Sequence, residues 1–184
     1  MYIRTKRVLL SKRVLLREWR PEDLNQFGTM NADPKVMEFF PEPLTREQSD
    51  ALAQKIIQLI GQRGWGFWAL EIPGVAEFAG FVGLNVPEDD LIFNPCVEIG
   101  WRLAHQYWGK GYATEAARAV LEVGFVDLGL KEIVAFTAAA NIRSQKVMQN
   151  LEMIRDETGF DHPAVDIGHP LRAHVLYRIA KPHS

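Results

Sequence analysis

The chain has 184 residues, 47% hydrophobic and 24% charged, with a formal net charge of −2. That length fits one domain able to bury roughly 70% of its unfolded surface without disulfide or metal, and the composition excludes a disordered chain and any broad basic footprint for nucleic acid. The apolar runs are too short to cross a bilayer, and Lys6, Arg7, Lys12, Arg13 and Arg17 break up the N-terminal ones, so neither a membrane span nor a signal peptide is expected and the cytoplasm is the expected location.

In chain order, Arg7-Val8-Leu9-Leu10 and Arg13-Val14-Leu15-Leu16 repeat a tetrapeptide, a period too short for a solenoid; the second copy, continuing to Trp19, reads as the first core strand. Pro21, Glu22 and Asp23 mark a helix start with acidic residues in its first turn, and the helix fades by Asn31 to Pro34. Pro34 predicts a further short helix ending near Phe40. Thr45 and Gln48 form a capping box ahead of Ala51, Leu52, Lys55, Ile56, Leu59 and Ile60 at helical spacing, with Gly61 and Gly64 as stops. Residues 65–72 and 77–86 read as a hairpin about Pro73-Gly74.

A strand follows in which Val97, Ile99, Trp101 and Leu103 alternate with Glu98, Gly100 and Arg102, giving one apolar face and one polar face. It runs into Gln106-x-x-Gly109-x-Gly111, where a helix starts at once and carries Ala113, Ala116, Ala117, Val120, Leu121 and Gly124 on one face, with Gly129 placed as its C-terminal cap. Such a junction points backbone N–H groups at one spot at the positive end of a helix dipole, the geometry a pyrophosphate requires. Glu132 to Ala138 reads as a central buried strand. Asn141 caps a last helix bearing Ser144, Val147, Met148 and Leu151, and Ile154–Phe160 and Ala173–Ile179 read as final strands. The order implies one α/β domain with helices covering a mixed sheet.

Four blocks in this order carry a family resemblance: Arg13-Val14-Leu15-Leu16-Arg17 with Pro21-Glu22-Asp23-Leu24; Val97-Glu98-Ile99-Gly100-Trp101; Trp108-Gly109-Lys110-Gly111-Tyr112-Ala113-Thr114-Glu115-Ala116; and Asn141-x-x-Ser144-x-x-Val147-Met148-x-x-Leu151. Over about residues 11 to 180 the chain resembles the GNAT-superfamily N-acetyltransferases, within them the branch typified by RimJ and RimL. The dinucleotide fingerprint fails, because Thr114 occupies its third glycine position. The resemblance implies an N-terminal extension at 1–10 and a GNAT domain at 11–184. It implies a mostly antiparallel sheet of six to seven strands whose central parallel pair splays apart to admit acetyl-CoA as co-substrate. By position, the backbone of Trp108, Gly109, Lys110, Gly111, Tyr112, Ala113 and Thr114 would cradle the phosphates, Lys110 adding charge, and Trp101, Arg102 and Leu103 would pair with the pantetheine arm.

Acetyl transfer to an amine needs a neutral nucleophile, a polarised thioester carbonyl and a proton for the departing thiolate. Glu98 shares its face with Gly100 and is the candidate base; its structural alternative is an ion pair with Arg102. A backbone N–H near Leu103 would polarise the carbonyl. The superfamily's usual tyrosine acid aligns with Met148, which cannot donate, so Ser144, one turn earlier, is the candidate acid; its alternative is a helix-terminal hydrogen bond. Asn141 caps the helix and is a further candidate contact to the cofactor. Where the family's last helix ends in Leu-Gly, this chain has Leu151-Glu152, which predicts strain of ~1 kcal/mol if the left-handed turn is kept.

Phe160, His162 and His169 are expected to face the acceptor or to be exposed loop residues, and Phe39, Phe40, Trp65, Phe67 and Trp68 to form the opposite wall or simply core. The spacing of Asp161, His162, Asp166, His169 and His174 matches no standard metal pattern, and none is expected. Cys96, the only cysteine, reads as a small buried apolar residue rather than a nucleophile. The expected partners are acetyl-CoA and an amine acceptor, a protein N-terminus or a small molecule, with a homodimer left open. A non-catalytic acyl-CoA sensor is the alternative function.

Overall fold

In the computed structural model, which describes residues 9–182, nine strands form one sheet flanked by four α-helices. Strands β1 (Leu9–Leu10) and β2 (Leu15–Arg17) pair antiparallel, Leu9 opposite Leu16 and Leu10 opposite Leu15, so the Leu-Leu ends of the two tetrapeptide copies fold back on each other. Residues 1–8 of the expected N-terminal extension lie outside the described residues. The sheet continues through β3 (Phe67–Ile72), β4 (Ala76–Asn85), β5 (Glu98–Leu103), β6 (Glu132–Ala138) and β9 (Ala173–Ala180), with β7 (Ile154–Arg155) and β8 (Phe160–Asp161) both on β9. Only β5 and β6 run parallel. The mixed, mostly antiparallel sheet is the expected one, with more strands than expected at its two edges.

Helices α1 (Asp23–Ala32) and α2 (Arg46–Arg63) cover one face. Phe27, Met30, Ala53 and Ile56 pack there on Ala69, Phe78 and Phe81. The entry to α1 is fixed by Arg17, 3% exposed, which forks onto Asp23 at 2.8 and 2.9 Å and bonds Glu71 at 2.7 Å. The capping box of Thr45 and Gln48 forms as expected, and Gly64, at φ +79°, ends α2. The other face is covered by α3 (Tyr112–Glu122) and α4 (Ile142–Asn150), where Ala116, Ala117 and Val120 approach Ile99, Ile133 and Ala135; the small alanines allow the close approach. After Glu122 the helix widens into a π turn over Val123–Asp127 before Gly129, at φ +65°.

Two expectations fail locally. Residues 34–40 form turns, not a helix: Asp33 is extended ahead of Pro34, its side chain accepts from the Lys35 N–H at 2.9 Å, and Pro41 bars continuation. The strand expected over 154–160 is split, because residues 156–159 face only 175–176 of β9 and the excess bulges out. Asp156 turns to hold Arg178 at 3.0 Å there.

Candidate active site

Strands β5 and β6 share a single paired position, Glu98 opposite Val134, with the Val134 N–H donating to Val97 O at 3.0 Å. Beyond it they diverge, and a cleft of about 990 Å³ opens between them, within the range of small-molecule and cofactor sites. One wall is β5 from Glu98 to Leu103; the other is Phe136, Thr137 and Ala138 of β6 with the first turns of α4.

At one end lies the turn into α3. Gly109 and Gly111 have φ of +72° and +81°, conformations only glycine adopts without strain. Gly111 is the N-cap of α3 and no side chain caps the helix; its first intrahelical bond is Glu115 N–H to Gly111 O at 3.0 Å. The N–H groups of Tyr112, Ala113 and Thr114 lie ahead of that bond, at the positive end of the dipole and beside the cleft. A pyrophosphate fits these residues. Trp108 braces the turn, its Nε1 donating to Leu103 O at 2.8 Å. Lys110 is exposed and outside the cleft lining.

Arg13 stands beside this turn, a placement the sequence did not suggest. It bonds Lys110 O at 3.0 Å and Glu115 at 2.7 Å, and lies over the Tyr112 ring at 5.0 Å. Glu115 also accepts from the Arg13 N–H at 2.7 Å and from Ser11 Oγ, and these bonds to its charged form hold its pKa below the usual range against partial burial. The β1–β2 turn is thereby fastened to the start of α3.

Glu98 lies in the cleft wall. Burial, with a small push from Asp89, raises its carboxyl to about 7, against the lowering effect of Asn85, whose Nδ2 donates to Oε1 at 2.9 Å. The Glu98–Arg102 pair does not form. Arg102 instead turns under α1, donating to Asn31 Oδ1 at 2.7 Å and stacking on Phe40 at 4.2 Å.

Across the cleft, Asn141 Oδ1 accepts from the Ser144 N–H at 3.1 Å, so Asn141 is the cap of α4. Its Nδ2 donates to Thr137 Oγ1 at 2.9 Å and to Ser144 Oγ at 3.1 Å. Ser144 Oγ thus accepts, and among the described residues no protein group takes its proton. Met148, 2% exposed, lines the cleft one turn on. Glu152 adopts φ +62°, the left-handed turn that the sequence makes conditional.

On the side expected to face the acceptor the structure regroups the expected residues. His162 and His174 line the cleft with their rings 4.8 Å apart, and burial lowers both pKa values. His162 Nε2 is 3.8 Å from Asp89. Phe160 meets Phe93 edge to face with ring centroids 5.0 Å apart, and His169 serves its own turn, accepting from the Leu171 N–H at 3.1 Å. Phe39, Phe40 and Phe67 line the opposite wall. Trp68 is core, and Trp65 packs beside the core under Arg63 at 5.7 Å. Arg143 of α4, also unforeseen, pairs with Glu38 and covers Trp108 at 4.7 Å, joining the 34–40 segment to the far wall. Such pairings across elements leave no local sequence signal.

Cys96 bonds Asn94 Oδ1 at 3.4 Å, and burial with the nearby Glu98 charge pushes its thiol up to about 11, the opposite of an activated nucleophile. Among the described residues no three His, Cys, Asp or Glu side chains are grouped to hold a metal, and no helix is long and apolar enough to cross a membrane.

Comparison with known proteins gives this geometry its family. The profile of the acetyltransferase (GNAT) domain matches residues 13–154. The N-acetyltransferase YnaD of Bacillus subtilis (strain 168) is 30% identical over 149 residues, 80% of this chain and 83% of that protein. The crystal structure of a GNAT-family acetyltransferase from Bacillus anthracis superposes with a TM-score of 0.77 at 25% identity, covering 95% of this chain and 99% of that one. RimL, the ribosomal L7/L12 α-N-protein acetyltransferase, in its complex with coenzyme A, superposes with a TM-score of 0.74 over 95% of this chain and 98% of its own. Its identity is 18%, so this likeness shows the shared fold and does not extend to the RimJ/RimL branch. The profile match, spanning most of the chain and containing both the diverging strands and the glycine turn, places the chain in the GNAT family of acetyl-CoA-dependent acyltransferases.

Proposed function

We propose that the chain transfers the acetyl group of acetyl-CoA to a primary amine by direct attack in a ternary complex. The observation that carries this reading is the position of Glu98, a carboxyl raised to about 7 on one wall of the cleft, with the free hydroxyl of Ser144 on the other. A carboxylate poised near neutrality takes a proton from an ammonium group more readily than an ordinary surface glutamate does. Glu98, directly or through one water, accepts the ammonium proton. The neutral nitrogen attacks the thioester carbonyl and the C–N bond forms; as the C–S bond breaks, Ser144 gives its proton to the departing thiolate and is restored by the second proton that the nitrogen sheds.

In this reading the backbone of Trp108 to Thr114 holds the pyrophosphate, and that of Trp101 to Leu103 runs beside the pantetheine arm. Arg102 contributes there by its main chain only, since its side chain is turned to Asn31 and Phe40. Asn141 holds Ser144 in place. The single cysteine and short apolar runs suit a cytoplasmic enzyme, and the resemblance to RimJ and RimL keeps protein N-termini among the acceptors alongside small amines.

Thermal shift with acetyl-CoA and thiol release across a panel of peptides and amines test the proposal together. Stabilisation with thiol release from at least one amine is the expected result. Stabilisation with no release from any of them would favour the acyl-CoA sensor instead.

A further inference from the structure

The cleft holds a further ionised group, Arg102, that acetyl transfer itself does not use. Arg102 shares the face of β5 with Glu98 and Gly100, and strand geometry sets its Cα about 13 Å from that of Glu98. Its guanidinium lies over Phe40 at 4.2 Å and near Phe81 at 5.5 Å, donates once to Asn31 at 2.7 Å, and leaves Nε buried without an acceptor. Burial alone draws its pKa down to about 10, with no carboxylate raising it.

A desolvated cation without a counter-charge is costly, and folded proteins normally pair one. This chain does so at Arg17, which is buried and has Asp23 at 2.8 Å and Glu71 at 2.7 Å. Arg102 receives a neutral amide instead. Asn31 is fully buried and its Nδ2 donates to Ser49 Oγ at 2.9 Å, so its oxygen is the atom that faces Arg102. The amide orients the guanidinium without neutralising it, which leaves the charge available to a ligand in the cleft.

The surface between Glu98 and Arg102 is apolar, with the Phe67 ring lying over Gly100. Gly100 faces Gly83 on β4, Phe67 borders them, and Phe81 stands opposite Arg102, just as Asn85 stands opposite Glu98. We propose that the acetyl acceptor carries a carboxylate of its own, joined to the reacting amine through an apolar spacer, and that Arg102 binds this carboxylate while Glu98 faces the amine. The assignment rests on the reading of the cleft as an acetyl-transfer site. It disfavours polycations such as polyamines, whose second charge would meet a guanidinium. It also disfavours α-amines of free amino acids, whose two groups are one carbon apart and cannot serve both ends.

The test compares 6-aminohexanoate with 6-aminohexanamide, which share amine and spacer and differ in the terminal charge. Calorimetric binding to the CoA-saturated protein and thiol release are both measured. A charge-assisted fork predicts binding and kcat/KM about tenfold or more in favour of the carboxylate. Arg102→Gln should reduce that ratio to within about twofold while acetyl-CoA affinity holds, and Arg102→Lys should keep part of it. Should Arg102→Gln not fold, Asn31→Asp supplies an internal counter-charge and should abolish the same preference. Equal binding of the two compounds by the wild type, or a preference surviving in Arg102→Gln, overturns the proposal. Carboxylate-selective binding that depends on Arg102, without thiol release from any amine, would uphold this site and reject the transfer reading.

Discussion

Asn85 and Glu98 face each other across β4 and β5, the amide Nδ2 donating to the carboxyl Oε1 at 2.9 Å. Two opposed effects meet in that contact. Burial favours the neutral acid and the hydrogen bond favours the carboxylate, with burial prevailing to leave the group at about 7. If Glu98 is the base, kcat/KM should rise with pH through an apparent pKa near 7. Removing the amide donor in Asn85→Leu should move that limb to higher pH, and removing the repelling charge in Asp89→Asn should move it lower. Profiles of the three proteins with one amine check both directions; a limb unmoved in both variants would take Glu98 out of the reaction.

The same group links stability to pH. A carboxyl whose folded pKa lies above its unfolded value favours the folded state at low pH and loses that contribution as pH rises through about 7. Glu98→Gln, which cannot ionise, should therefore match the wild type near pH 4 and exceed it above pH 7 by the order of 1–3 kcal/mol. Urea unfolding at the two pH values measures the gap; an equal difference at both would contradict the raised pKa. A variant that is more stable yet less active is the expected signature of a group held neutral at a cost.

Asn141 and Ser144 separate a cap from a catalytic group. The cap bond runs from the Ser144 N–H to Asn141 Oδ1, so Ser144→Ala keeps it and Asn141→Ala removes it. Ser144→Ala should lower kcat at least about tenfold with Tm nearly unchanged, as for loss of a general acid. Asn141→Ala should lower stability by about 1 kcal/mol and lower kcat as well, because Ser144 loses the amide that orients it. Unaltered turnover in Ser144→Ala would leave the thiolate to take its proton from solvent.

The contrast between these two residues shows what the chain makes legible. The cap, the capping box of Thr45 and Gln48, the hairpin at Pro73-Gly74 and the glycine turn before α3 are local devices, written within a few residues. The even residues of β5 share a face by the period of a strand, so Glu98, Gly100 and Arg102 are legible as a row. Their partners are not. Asn85 reaches Glu98 from β4, Asn31 reaches Arg102 from α1, and Glu115 gathers Ser11 and Arg13 from the β1–β2 turn. Each depends on how separate elements pack, and no spacing in the sequence records that. The failure at 34–40 is local, set by Asp33, Pro34 and Pro41, whereas that at 156–159 pits strand propensity against a distant partner, Asp156 with Arg178.

Glu152 offers a stability prediction independent of the site. It holds φ +62° just past α4, where its N–H donates to Gln149 O at 2.9 Å and that of Met153 to Met148 O at 3.1 Å, a closure that needs a left-handed residue. Glycine relieves the crowding of Cβ but gives the unfolded chain more freedom to lose. The strain relieved is the larger of the two terms, so Glu152→Gly should stabilise by up to about 1 kcal/mol, raising Tm by roughly 2–4 °C. A lowered Tm would mean that the charge of Glu152 contributes more than its backbone costs.

Gly100 tests the shape of the acceptor surface. A Cβ built there would meet the Phe67 ring at 3.0 Å, the edge of a side chain rather than main chain, so Gly100→Ala should fold with a small shift of that ring. The added methyl pushes that ring into the apolar surface between Glu98 and Arg102, while the turn proposed to receive the phosphates is untouched. The expected result is a KM for the amine raised about tenfold, consistent with a lost near-ideal fit in a packed site, with the Kd for acetyl-CoA changed less than about twofold. Steady-state kinetics in the amine and calorimetry with acetyl-CoA separate the two effects. If instead acetyl-CoA binding falls and the amine KM holds, the surface over Gly100 belongs to the pantetheine arm, and the acceptor enters from the side of His162 and His174.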